Sequence, residues 1–381
     1  IAEAWRAGSD IPTTEGLGIE YFVIVAALYR FLGAHPIFPV VVNCLLATLS
    51  GLLAFAISRR LSNERVAFAS AVLVGFWPST FIWSSQILKA SPCLFLVLAV
   101  LLLTLQACAS IQAPRRLAAP RVWAWGLAFV GTIVLLTRLR FYLGSILAVV
   151  ALAVLLTATA VSAARRRRSV GARYLALAAL IAVTALFARG LNVERLMAGS
   201  SAVMEGVRQV DDQLLTTVRE ATPESLDRQR RNFVVTGGRS LMDPKAMIAH
   251  LGSLLRYLPR ALAIGLLAPF PSQWFDTKGS TGIMRAFAGA EMAILYLLLP
   301  AMLVGGWRLA ASHRLEAYVL LAWIAMTAVP LSLVVANFGT LFRLRLAFIL
   351  PVRIVAAEGG PLGVYQRMRE ALKRFRQAPA P

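Results

Sequence analysis

The sequence predicts an all-α fold, a polytopic transmembrane helical bundle of about nine spans with an extracytoplasmic loop and juxtamembrane helices. Three observations carry this. Of 381 residues, 59% are hydrophobic and 15% charged, against roughly 45–50% and ~25% in soluble domains. Mostly apolar runs close to the ~20 residues that cross a hydrocarbon core recur along the chain. Basic residues gather in the short loops between these runs, as the positive-inside rule requires, which gives the formal charge of +21 a topological origin. In a soluble chain such a charge would suggest nucleic acid; the motifs of nucleic-acid binding are absent here, and that partner is excluded.

In chain order, residues 1–35 are the remainder of a first exterior loop. Within them Tyr21, Phe22, Val25, Leu28, Tyr29 and Leu32 recur at helical spacing, which predicts an amphipathic helix on the membrane surface. The chain opens on Ile1 with no signal-peptide pattern, and the expectation is that one further span precedes it. Residues 36–188 form a first transmembrane group with spans at Pro36–Ile57, Val66–Trp83, Pro92–Ala109, Val122–Thr137, Phe141–Val161 and Tyr174–Ala188. Val122–Thr137 and Tyr174–Ala188 are short, so flanking residues extend them or the bilayer thins around them.

Residues 189–285 form the extracytoplasmic loop, the one long polar stretch. Val193–Arg219 reads as helical, and Thr222-Pro223-Glu224-Ser225 starts another helix with proline near its first position. Leu258–Phe270 is apolar, bounded by Pro259 and Pro269, and too short to cross; it reads as an interfacial or re-entrant helix. Residues 286–358 hold Phe287–Trp307, Leu315–Ala336 and Leu341–Ala357, and residues 359–381 are a basic cytoplasmic tail.

Alternating sides from the first span puts five basic sets on the cytoplasmic side: Arg59, Arg60 and Arg65; Arg115, Arg116 and Arg121; Arg165–Arg168 with Arg173; Arg308 with Arg314; and Lys373, Arg374 and Arg376. Topology then gives no reason for Lys89, Arg138, Arg140, Arg343 and Arg345, which lie on the outer side tight against the spans. A charge at membrane depth costs up to ~2.5 to 3.5 kcal/mol and commonly marks a site. Arginine binds phosphate through a planar, bidentate fork, so these five are read as cations for the phosphate of a lipid carrier. Snorkelling to ordinary headgroups, or pairing with exterior acids, is the competing reading. Gly339 and Asn337 are read as shaping a tight re-entry there, with a simple helix cap as the alternative. Ala268-Pro-Phe-Pro-Ser-Gln-Trp274 reads as a rigid exterior turn with Trp274 at headgroup level.

Cys44, Cys93 and Cys108 lie in apolar stretches without CxxC spacing, and His35, His250 and His313 are scattered. Neither a disulfide framework nor a metal site of His and Cys is predicted. No Ser/His/Asp, Cys/His or phosphate-cradling glycine pattern supports nucleophilic hydrolysis or nucleotide binding. No cofactor is required by a motif; a divalent cation is left open.

Several segments resemble a family. They are Ala2-Glu-Ala-Trp-Arg-Ala-Gly8 with Tyr21 and Leu28-Tyr-Arg-Phe-Leu-Gly33, Trp77-Pro-Ser79, Trp83-Ser-Ser-Gln-Ile-Leu-Lys89, Leu267-Ala-Pro-Phe-Pro271, and Asn337 to Arg345. Together these resemble polyprenyl-phosphate-sugar-dependent membrane glycosyltransferases of the C-type superfamily, related to family 39 protein mannosyltransferases and lipid A aminoarabinose transferases. The resemblance leaves residues 190–250 uncovered. It implies a catalytic acid in the first exterior loop, a few residues ahead of Ala2–Gly8 and so before residue 1. Asp10, Glu15 and Glu20 are weak candidates whose spacing does not match the family's acid. Relatives also place an acid in the second exterior loop, where Leu88-Lys-Ala-Ser-Pro92 has Ala90.

The resemblance further implies an inverting transfer. A carboxylate acts as general base on an acceptor hydroxyl, which attacks the anomeric carbon while the lipid phosphate leaves, stabilised by Arg343, Arg345, Arg138, Arg140 and Lys89. The partners it implies are the bilayer, a polyprenyl-phosphate-linked sugar and an extracytoplasmic glycan, lipid or protein acceptor, in a cell membrane of the bacterial inner-membrane kind. A polysaccharide polymerase or ligase, a transporter and a non-catalytic scaffold stay open as alternatives.

Overall fold

The structure, a computed structural model, describes residues 19–112, 119–166, 223–236, 241–274, 282–312 and 314–363. These residues form helices α1 (Ile19–Leu32), α2 (Ile37–Leu61), α3 (Glu64–Gly75), α4 (Pro78–Ser84), α5 (Ala90–Gln112), α6 (Ala119–Leu139) and α7 (Phe141–Arg166). Then come α8 (Pro223–Thr236), α9 (Leu251–Leu267), α10 (Gly282–Ala311), α11 (Leu315–Val334), α12 (Phe338–Leu344) and α13 (Leu346–Gly359). Among the described residues there is no β-strand, only an isolated antiparallel bridge between Leu241 and Asn337. Five helices, α2, α5, α7, α10 and α11, are long and apolar enough to cross a membrane. The protein is a multi-pass, all-helical membrane protein.

Several segments differ from their sequence readings for identifiable reasons. Val66–Trp83 is not one straight helix: α3 and α4 are bent 52° apart, and would make a sixth span if counted together. Pro78 opens α4 and has no amide to continue the ladder from α3. Leu341–Ala357 is divided at Arg345, which ends α12 and begins α13. Leu258–Phe270 belongs to the longer α9, which keeps Pro259 inside it on the exposed side. Ser253 Oγ accepts the His250 amide (3.1 Å) at the start of α9 and donates to the His250 carbonyl (2.7 Å). The helix start at Thr222–Ser225 is seen as α8. Tyr174–Ala188, Val193–Arg219, Asp10 and Glu15 lie outside the described residues, and Glu20 stands in the first turn of α1.

The chain divides into two compact units, residues 1–49 with 81–228 and residues 50–80 with 229–381. In the first unit α5, α6 and α7 pack on one another and α1 packs on α6. Leu98, Leu101 and Leu105 of α5 meet a core with Ile133 and Leu136 of α6 and Leu147 of α7, all buried. The turn from α6 to α7 is so tight that a side chain at Gly144 would overlap the Thr137 backbone.

In the second unit α13 is central, packing on α10, α3 and α11, and all 14 of its residues are buried. Buried all round, it packs its apolar residues, with Arg353 and Glu358 among them, against protein on every side. The closeness of α10 and α13 depends on small residues: a Cβ on Gly359 would run into the Ala301 carbonyl, and one on Gly305 into the Val355 carbonyl. Gly359→Val is therefore expected to destabilise the protein by about 1–3 kcal/mol through overpacking, read as a lower midpoint of thermal unfolding in detergent. At the end of α2, Arg314 donates to the carbonyls of Arg60 (2.6 Å) and Leu61 (2.8 Å), a cation on a helix C-terminus.

Candidate functional site

The most polar place in the second unit is built around a carboxylate that α10 carries into an apolar surround. Glu291 is 2% exposed, and an isolated charge there would be costly unless paired. Its Oε1 faces Arg345 Nη2 at 3.5 Å and Arg353 Nη2 at 3.9 Å, and accepts a hydrogen bond from Ser79 Oγ at 3.2 Å. Arg345 and Arg353 are as buried as their partner. Arg345 Nη1 also donates to the Ala268 carbonyl (2.8 Å) and meets Met292 Sδ (3.3 Å), and its guanidinium lies 3.8 Å over the Phe342 ring. Arg353 lies 3.9 Å over the Trp77 ring. One carboxylate thus joins both helix interruptions of this unit, the α3–α4 bend through Ser79 and the α12–α13 corner through Arg345.

Arg343 and Arg345 are two residues apart, which on a helix turns them roughly 200° from each other. Arg345 points into the core; Arg343 is exposed, with Nε donating to the Gly339 carbonyl at 3.2 Å. Asn337 is the N-cap of α12, its Oδ1 accepting from the amides of Gly339 (2.9 Å) and Thr340 (3.4 Å). A Cβ on Gly339 would meet only Asn337 Oδ1, at 3.5 Å; Gly339 serves the cap, and no backbone crowds it.

The turn before α12 is itself held. Met242 N–H donates to the Ala336 carbonyl (2.8 Å), beside the Leu241–Asn337 bridge. Arg230 of α8, 2% exposed, donates to the carbonyls of Leu333 (3.0 Å), Met242 (3.0 Å) and Asp243 (3.1 Å), and to Tyr257 Oη (2.9 Å). It lies where the α11 C-terminus favours a cation. Burial pushes the Tyr257 phenol above its ordinary pKa, against the lowering effect of Arg230. Tyr257 therefore keeps its proton and directs it at Asp243 Oδ2 (3.5 Å). Asp243, at φ +46°, also pairs with Arg260 at 3.0 Å. Arg230→Met, which keeps the bulk and strands three carbonyls, is expected to destabilise the fold by about 1–3 kcal/mol, seen as increased proteolysis of residues 237–250.

In the first unit Lys89 and Arg140 come together. Both act electrostatically on the Cys93 side chain in the first turn of α5. Arg140 occupies the α6–α7 corner, its amide donating to the Leu136 carbonyl (2.8 Å), and Arg138, in the last turn of α6, is half-buried. The segment before Lys89 is fixed by Asn43, 1% exposed, whose Nδ2 donates to the carbonyls of Gln86 (2.7 Å) and Leu88 (3.1 Å) and to Tyr21 Oη (3.3 Å). Ala90 is the buried first residue of α5. Trp274 stacks on Tyr296 at 5.8 Å and donates to the Pro269 carbonyl at 2.8 Å.

Glu291, Arg353, Arg230 and Asn43 are not among the residues singled out from the sequence. For Glu291 and Arg353 a signal was present: opposite charges inside two apolar runs must find each other. Arg230 and Asn43 bond mainly to main-chain carbonyls, which leave no mark in a sequence pattern.

No protein-family model matches the chain, and no curated protein matches it in sequence. Among solved structures it is similar to the archaeal oligosaccharyltransferase AglB from Archaeoglobus fulgidus in complex with an inhibitory peptide and a dolichol-phosphate, with a TM-score of 0.51 at 16% identity. The similarity covers 95% of this chain and 44% of that one, so the chain spans less than half the length of its structural neighbour. The similarity extends over nearly the whole of this chain and is one of fold.

Proposed function

We propose that the protein is a membrane glycosyltransferase that moves a sugar from a polyprenyl-phosphate donor to an extracytoplasmic acceptor with inversion. The observation that carries this reading is an exposed arginine, Arg343, on a short capped helix, for which the charge pattern of the sequence offers no topological reason. The similarity to AglB, solved with a dolichol-phosphate, supports the donor class. In the second unit the candidate phosphate cation is Arg343, because the guanidinium of Arg345 is already committed to Glu291, Ala268 and Met292. In the first unit the candidates are Lys89 and Arg140, with Arg138 beside them.

In the reaction a carboxylate accepts the proton of an acceptor hydroxyl, the freed oxygen bonds to the anomeric carbon, and the bond from that carbon to the phosphate oxygen breaks. The leaving phosphate gains negative charge at that moment, and a fixed guanidinium stabilises it more than it stabilises the intact donor. Asp10, Glu15 and Glu20, or an acid preceding them, supply the base. The test is transfer by the protein, reconstituted in lipid, from radiolabelled polyprenyl-phosphate sugars to cell-envelope acceptors. Transfer is expected from at least one donor of this class; no transfer from any of them, with full transfer from a lipid diphosphate, would replace this reading with that of a polymerase or ligase.

A further inference from the structure

We infer that Glu291 is a positioning residue that sets where Arg343 stands, acting through Arg345; the inference rests on Arg343 meeting the donor phosphate. Arg345 closes α12 and opens α13, so what fixes its side chain fixes the corner between them. Its guanidinium is gripped from three directions: Glu291 and Met292 on α10, the Ala268 carbonyl after α9, and the Phe342 ring on its own helix. Glu291 is the one anionic partner among them.

Helix α12 has seven residues, too few to hold a shape by its own hydrogen bonds. Its geometry is set at its ends. At the N-terminal end Asn337 caps it, and that turn is tied to residues 241–243 and so to Arg230. At the C-terminal end the tie is Arg345 to Glu291. Arg343 lies two residues before that tie and on the opposite face, so any rotation of the corner swings Arg343 with it. Glu291 has a single oxygen engaged: Oε1 takes Arg345, Arg353 and Ser79, while Oε2 has no hydrogen-bond partner. The carboxylate, its charge shared between both oxygens, therefore meets the corner through Oε1.

Two arms test this. In the transfer assay Glu291→Gln, which keeps shape and loses charge, is expected to raise the donor KM and lower kcat, for a loss of about tenfold in kcat/KM. Glu291→Asp is expected to restore KM to within about twofold of the parent. In the second arm, purified protein carrying Cys44→Ser and Arg343→Cys is labelled with a charged maleimide, with no substrate present. Glu291→Gln is expected to change the labelling rate at position 343 by about threefold or more and to leave the rate at a matched Lys245→Cys control unchanged. An unchanged rate at 343, or an equal change at both positions, overturns the inference. A changed rate with an unchanged donor KM overturns it too, and puts the fault in the phosphate role of Arg343. If the parent transfers nothing, the glycosyltransferase reading fails, and the labelling arm still decides whether Glu291 sets the corner.

Discussion

Glu291→Leu is expected to lower stability by about 3–5 kcal/mol, because it leaves two buried guanidiniums without their counter-ion. Arg345 and Arg353 are each at most 3% exposed, so water cannot replace the lost carboxylate. The aromatic rings of Phe342 and Trp77 remain beneath them but offset only a part of that cost. The measurement is thermal unfolding in detergent, together with the yield of folded protein. A triple change, Glu291→Leu with Arg345→Met and Arg353→Leu, removes both stranded charges and is expected to recover most of the stability, since a whole buried ionic group exchanges for apolar packing at little net cost. A Glu291→Leu protein as stable as the parent would show that the cluster is hydrated and not an internal clamp.

Arg343→Ala is expected to behave in the opposite way. The residue is exposed and, among the described residues, bonds only within its own helix, to Gly339, so the unfolding midpoint should not move. Transfer from the lipid donor should fall by about 10²-fold in kcat/KM, the usual loss when one fixed donor to a developing anion is removed. Arg343→Lys should recover part of this, since it keeps the charge and loses the bidentate fork. Equal stability with equal activity would remove Arg343 from the site.

The contrast between these two variants shows what the sequence made visible. Long helices such as α5, α7, α10 and α11 were legible because a continuous apolar run near membrane thickness is a strong and local signal. Arg138, Arg140, Arg343 and Arg345 were legible as exceptions to the charge rule. Their separation into an inward anchor and an outward cation was not, because residues 343 and 345 look equivalent until the helical turn between them is fixed. The bend before Pro78 was half legible: Trp77-Pro78 marks a break, yet the apolar run continues through it and reads as one span. The clamp on the α11–α12 turn was hidden altogether, since Arg230 reaches the Leu333, Met242 and Asp243 carbonyls, and main-chain acceptors exist at every position. Residues 241–250 likewise gave no hint that Leu241 and Met242 would pair with Asn337 and Ala336.

The central claim is that this helical membrane protein holds the phosphate of a lipid carrier. Its most direct test is equilibrium binding of polyprenyl monophosphate to the purified protein in lipid nanodiscs, with a polyprenol of equal chain length as competitor. The account predicts saturable binding that the uncharged polyprenol does not displace and that Arg343→Ala weakens about tenfold or more. Displacement by the polyprenol at equal concentration, or unchanged affinity in Arg343→Ala, would contradict it.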